Sequence, residues 1–297
     1  MFDLFGRKRR KQEREKQERE KQQARLASSR AAIAEPVYSK DPREWIALPP
    51  PLRSSPQYYA ANHSGSSWIV SLRDGHPHVE WKDDWKAPDV RARNLPAFLY
   101  TTKGNPSMFG SVDDLCVYQV EDGWLVGCDS GEWGGSLSWY SADGRETYDI
   151  PDGDQVGFFL ETPMGVLAFA GLAHMGHSWG KVSLIKRADS TQRWSAELFA
   201  DLTGEPYAAF SDTERSFLLV TSEQLVRIAL DGQIDVLVQD AFWGGLYPTS
   251  VVIDAADIYI GMRHGVVRII RDDQKFTTQW LLPNQAFVDA KPDDPPE

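Results

Sequence analysis

His174 and His177, separated by the two residues Met175-Gly176, are the pair in this 297-residue chain whose types and spacing come nearest to a metal site. One ion can bridge two such imidazoles, and Glu132 or Glu161 could add a carboxylate. Spacing fixes no third ligand, however, and Cys128 lies in another stretch. Gly127-Cys128-Asp129-Ser130-Gly131 sets a serine between glycines, but within an alternating apolar segment that reads as a hairpin. It is not the strand-turn-helix elbow that activates a nucleophile. Gly131-Glu132-Trp133-Gly134-Gly135 is glycine-rich, yet no helix follows whose amino end could hold phosphate. These residues suit turns better than reactions. The expectation is no catalytic residue and no cofactor, with His174 and His177 as the alternative metal pair.

The elements that must position these residues repeat. Five stretches share one pattern, an alternating apolar run, an Asp-centred turn and a second extended run. They are Ser66 to Val79, Gly135 to Tyr148, Gly180 to Trp194, Glu223 to Val238, and Gly265 to Phe276, with turns at Asp74, Asp143, Asp189, Asp231 and Asp272. The last four turns are spaced by 46, 42 and 41 residues, against roughly 40 to 50 for a four-stranded propeller blade. The first interval, 69 residues, predicts an insertion between about Lys82 and Gly110, where Pro88, Pro96 and Pro106 interrupt the period. A second hairpin precedes each outer one. Tyr58–Gly65, Trp124–Gly131 and Ile258–Gly265 align without gaps, and Val166 to Met175 and Phe217 to Gln224 fill the same slot. One more strand lies ahead at Leu115 to Val120, Val156 to Glu161, Tyr207 to Ser211 and Ser250 to Asp254. That makes four strands per unit. A unit of this kind cannot bury both faces alone and must stack on its neighbours.

From about Trp45 to Leu282 the chain resembles a β-propeller. The likeness is to the architecture, since neither the Gly-His and Trp-Asp signatures of WD40 repeats nor a recurrent kelch-type double glycine is present. The fold class implied is all-β, a single propeller of five four-stranded antiparallel blades, or six if the insertion hides strands. The expected organisation is a charged helical or disordered segment over 1–35, a propeller over 36–285, and an acidic, Pro-rich tail over 286–297.

Eleven Trp, ten Tyr and thirteen Phe favour strands and large buried side chains. Cys116 and Cys128 are expected to be free thiols in a reducing compartment. Residues 1–35 carry eleven Lys and Arg against six Asp and Glu, leaving 21 basic against 37 acidic residues in the body. The acidic body disfavours nucleic-acid phosphate and favours a basic protein partner. No apolar stretch follows the basic cluster Arg7, Lys8, Arg9, Arg10 and Lys11, so cytoplasmic location is the default expectation. Phe2, Leu4 and Phe5 beside that cluster could touch a membrane surface or nucleic acid, but three apolar residues give only weak membrane affinity.

In a propeller, turns between second and third strands emerge on one face with the connections between blades. That face should carry Asn62-His63, Asp129, Glu132, Trp133, His174 to Trp179, Arg263-His264, and Trp243 with Tyr247. Aromatic residues among acidic ones suit a protein-binding site better than a reaction centre. Asp129, Glu132, Trp133, Trp179, Trp243 and Tyr247 are therefore the expected partner-binding residues. The expected function is a non-catalytic binding module, of which an immunity-type protein neutralising a basic toxin is one concrete version. The alternative is a hydrolase or lyase with a metal or paired carboxylates at the channel mouth. The innermost strands supply few ligands for it, mainly Glu161 and Asp254 at their ends.

The segment from Met1 to Glu35 has no apolar stripe with which to dock. Its removal should leave the body's melting temperature nearly unchanged in calorimetry. A fall well beyond the few degrees that about 1 kcal/mol produces would show that it packs on the ring.

Overall fold

The computed structural model describes residues 38–82, 95–100, 106, 115–187, 193–272 and 275–290. The amino-terminal segment over 1–35, most of the expected insertion, the turn at Asp189-Ser190 and the end from Lys291 to Glu297 lie outside them. The strands run β1 (Ile46–Leu48), β2 (Trp68–Arg73), β3 (His76–Trp81), β4 (Leu115–Val120), β5 (Gly123–Asp129), β6 (Gly135–Ser141) and β7 (Thr147–Asp149). They continue with β8 (Val156–Thr162), β9 (Gly165–His174), β10 (His177–Arg187), β11 (Trp194–Leu202), β12 (Pro206–Thr213) and β13 (Ser216–Thr221). The last are β14 (Leu225–Ala229), β15 (Ile234–Val238), β16 (Ser250–Asp254), β17 (Asp257–Gly261), β18 (Val266–Asp272) and β19 (Lys275–Leu282). Helix α1 spans Pro56–His63 and α2 spans Gln285–Val288.

β4 to β7, β8 to β11, β12 to β15 and β16 to β19 each form an antiparallel meander, and β2 with β3 forms a two-stranded sheet. Successive meanders pack through their first strands, β8 on β4 and β5, β12 on β8 and β9, β16 on β12 and β13. The core is accordingly divided into layers between sheets. One layer holds Leu125, Trp139, Val156 and Ile185, the next Leu167, Phe169, Phe217 and Ile228. This arrangement is a β-propeller. Second strands are flanked on both sides, so β9, β13 and β17 are near-continuous buried runs, whereas the outer strands β7 and β15 are largely exposed.

The Asp turns have a local cause. Asp74 and Gly75 both take positive φ, 51° and 79°, closing a two-residue hairpin between Arg73 and His76. Asp143 Oδ1 accepts from Arg145 N at 3.1 Å, and Asp231 Oδ1 from Gln233 N at 3.1 Å. Each carboxylate thus supplies the backbone with a turn partner.

The first blade departs from the expected pattern. Tyr58–Gly65 is not a strand: α1 occupies it, because Ser55 caps the helix by accepting from Tyr58 N at 3.2 Å and Pro56 stands at its first position. Nor is the β2–β3 hairpin an outer one. β2 packs on β16 and β17, the place of a first strand, and its opening residues Trp68, Ile69 and Val70 are buried as that place requires. Blade 1 therefore has two strands among the described residues, against the four expected. In the expected insertion, Leu95 and Leu99 pack with Leu115, Val126, Cys128 and Tyr140, covering one face of blade 2.

Closure comes from the chain's start. β1 pairs antiparallel with β19, Ile46 opposite Leu282 and Leu48 opposite Trp280, making the last blade five-stranded. Trp68 stands at this junction with no exposed surface, its ring 4.9 Å from Tyr38, 5.0 Å from Trp45, 5.3 Å from Trp81 and 5.9 Å from Phe287. Residue 286 does not begin a free tail, since α2 buries Phe287 here. Trp68→Ala should cost about 3–5 kcal/mol in urea unfolding, the range for a large core aromatic. A loss below about 1 kcal/mol would show that closure does not depend on this cluster.

Candidate functional site

The face where second strands turn into third strands also receives the blade connections, and side-chain contacts tie them together. Ser178 and Ser222 hydroxyls lie 2.8 Å apart and both accept from Glu205 N, at 3.2 and 3.1 Å. Lys181 Nζ donates to Asp152 O at 2.6 Å and pairs with Asp154 at 3.1 Å. Gln155 Nε2 donates to Gly131 O. Blades 2, 3 and 4 are thus joined at this face by hydrogen bonds as well as by apolar layers.

Within it, Asp129, Glu132 and Trp133 share the β5–β6 turn. Asp129 Oδ1 accepts from Gly131 N at 2.9 Å, holding a single 3-10 turn over Gly131–Trp133 that leaves Trp133 59% exposed. Glu132 reaches the next blade and pairs with His174 Nε2 at 2.9 Å. There β9 and β10 run out into a prong. His174 and His177 are opposed across it, and Met175-Gly176 close it with φ of 49° and 83°. Met175 is 87% exposed at its tip and Trp179 is 36% exposed on its flank. Trp133, Glu132, His174, Met175 and Trp179 therefore form one apolar and acidic patch over blades 2 and 3.

Trp243 does not join it. It is wholly buried and its Nε1 donates to Thr221 O at 2.9 Å, pinning the β15–β16 connection onto blade 4. A tryptophan whose indole N–H is spent on a buried carbonyl is a packing residue, and this corrects its assignment to the partner surface. Tyr247 is exposed but belongs to a second corner, where Arg263 lies 4.6 Å over its ring and donates to Asn62 O and Oδ1. Asn62 reaches this corner from the end of α1, and His63 there is exposed. His264 turns inward instead and is buried.

Sequence reasoning passed over Glu205 and Tyr207 at the channel mouth. Burial and then the nearby Asp129 raise the Glu205 carboxyl above the ordinary carboxylate range, opposed by contact with the Tyr207 hydroxyl. The signal available was Gly204-Glu205-Pro206, a turn before a first strand, in a connection between blades. Glu161 sits at the other end of blade 3, opposite Val166, remote from His174. Among the described residues no group of three or more His, Cys, Asp and Glu could hold a metal ion. Cys116 and Cys128 both carry reduced thiols, as expected. Cys116 Sγ packs on Gly127 and donates to Val156 O at 3.3 Å, and burial raises its pKa. No described helix is long and apolar enough to cross a membrane.

The fold and this face define a propeller with an interblade turn surface. No protein-family model matches the chain, and no curated protein matches it in sequence. Among solved structures it is similar to the extracellular domain of BT4673 from B. thetaiotaomicron, with TM-score 0.40, 13% identity, and coverage of 58% of this chain and 22% of that one. It is also similar to PorZ, a surface component of the type-IX secretion system of Porphyromonas gingivalis (TM-score 0.37, 12% identity, 55% and 26%). A third is virginiamycin B lyase from Staphylococcus aureus (TM-score 0.36, 12% identity, 57% and 56%). The chain spans less than two thirds of each, and no activity passes from them to it.

Trp243→Ala should lower stability by about 3–5 kcal/mol, while Trp133→Ala should stay within about 0.5 kcal/mol. Denaturant titration of the two variants decides whether the two tryptophans play these opposite parts.

Proposed function

We propose that the protein is a binding module whose turn face docks a basic protein partner, with Trp133, Trp179 and Met175 as apolar anchors. The observation that carries this reading is the prong patch, three large apolar side chains exposed together beside Glu132 on a scaffold tied from blade to blade. Tryptophan and methionine are enriched at binding interfaces, and a pre-formed surface loses little freedom on association. Asp129, Glu132 and Glu205 give the mouth negative charge, which steers a basic partner and fixes its register. A toxin held by its immunity protein is one partnership of this kind. Tyr247, with Arg263 against its ring, adds a second contact corner.

A second reading, an acid-base enzyme at the same mouth, draws on Glu205, whose raised pKa beside Asp129 and Tyr207 suits a proton donor.

A partner recovered by immobilised protein from the source cell should bind with an association rate that falls as salt rises. Trp133→Ala should weaken it about 30-fold, the loss of one hot-spot anchor of roughly 2 kcal/mol, and Glu132→Lys should slow association without altering the melting curve. Binding indifferent to both changes would sink the docking reading. Turnover of a small substrate, lost in Glu205→Gln and kept in Trp133→Ala, would establish the enzyme instead.

A further inference from the structure

The two ends of the described chain meet around His264. Its backbone N–H donates to Ser66 O at 2.9 Å, just ahead of β2, and its ring Nε2 donates to Phe287 O in α2 at 3.0 Å. The ring lies 5.9 Å from that of Trp280 in β19 and 5.0 Å from that of Phe287. The residue stands at φ 71° in the β17–β18 turn. A Cβ on the following Gly265 would come within 2.6 Å of Leu281 O, so this turn packs directly against the backbone of β19.

A carbonyl oxygen only accepts, so the bond to Phe287 holds the neutral imidazole with its proton on Nε2. Nδ1 keeps a lone pair, is buried, and has no hydrogen-bond partner among the described residues. The crevice beside it leaves no room for a water molecule. Among the described residues that line this crevice none but His264 is titratable: β1 presents Leu48, α1 Gln57, β19 Trp280 and Leu282, and α2 Phe287 and Val288, with Ala290 beyond it. The neighbouring Arg263 turns away to Asn62 and Tyr247, and Asp289 accepts from Gln285.

We propose that His264 is a proton-operated latch on the ring, whose protonation at Nδ1 releases α2 and the β1–β19 edge and with them the Arg263–Tyr247 corner of the turn face. A proton on Nδ1 would sit in a buried site lined mainly by apolar side chains, at an atom that makes no hydrogen bond to the described residues, which opposes the charged form. Burial lowers the His264 pKa below the ordinary imidazole value, consistent with this geometry. Once released, the ring titrates near its ordinary value of about 6.5. Above that pH both states are neutral and the latch has its full strength. Below it the open state takes up a proton that the closed state refuses, so the open population grows up to about tenfold per pH unit until the lowered value is reached.

Hydrogen exchange of the full chain between pH 7.5 and 5, corrected for the intrinsic pH dependence of exchange, tests this. Peptides covering β1, the β17–β18 turn, β19 and α2 should open progressively below about pH 6.5, while those of β4 to β15 do not. His264→Asn keeps a donor and tolerates positive φ but cannot titrate, and should abolish the response. If that variant does not fold, proton NMR of the wild-type imidazole replaces it, with the His264 resonance expected to change over the same pH range as the local opening. Flat exchange at these elements, an unchanged response in His264→Asn, titration of His264 without local opening, or simultaneous opening of every blade would each overturn the proposal.

Discussion

Everything in this molecule depends on closing a ring of sheets that cannot stand alone. Each blade is apolar on both faces and needs a neighbour on each side, so the last blade must find the first. Here that meeting is made by β2 packing on β16 and β17 and by β1 pairing with β19 outside. The two contacts flank Trp68, whose indole is enclosed by Tyr38, Trp45, Trp81 and Phe287. Edge-on aromatic packing of this sort adds directional preference to area burial, which helps fix the angle at which the two ends join. An unpaired β19 would also leave a strand edge open to other chains.

The polar contacts between blades do a different job from the apolar layers. Hydrophobic layers hold the blades together but tolerate sliding, since their attraction is non-directional. Asp122 accepts from the indole N–H groups of Trp139 at 3.2 Å and Trp194 at 3.0 Å and pairs with Arg187 at 2.7 Å, fixing blade 2 against blade 3 on the face opposite the turns. These donors are the largest of the influences that lower the Asp122 pKa, against the effect of burial. On the turn face, Ser178, Ser222 and the Glu205 amide do the same for blades 3 and 4. A surface whose loops are registered in this way can present Trp133 and the β9–β10 prong in one fixed relation, the condition for recognising a partner without first ordering itself.

The first blade has two strands among the described residues, and α1 packs beside them on the turn side, burying Tyr58 and Ala61 and accepting Gly245 N on the Tyr58 hydroxyl at 3.0 Å. That helix brings Asn62 to Arg263, so an irregularity of the fold builds the second corner of the candidate site.

Much of this was determined by the sequence by itself. The Asp turns, the roughly forty-residue period and the four strands of blades 2 to 5 are all local signals, since a side chain that satisfies its own turn does so whatever the rest of the chain does. The Ser55-Pro56 start of α1 was local too, but Tyr58–Gly65 was matched to a strand repeat in Ile258–Gly265 that it resembles only in composition. Tertiary structure alone decided that the β2–β3 hairpin is an inner pair, that β1 closes the last blade, and that Trp243 is core while Trp133 is surface. These outcomes turn on which neighbour a face meets across the ring. An indole on a turn has the same local pattern whether another blade or water lies beyond it, and only the packing of one sheet on the next distinguishes the two.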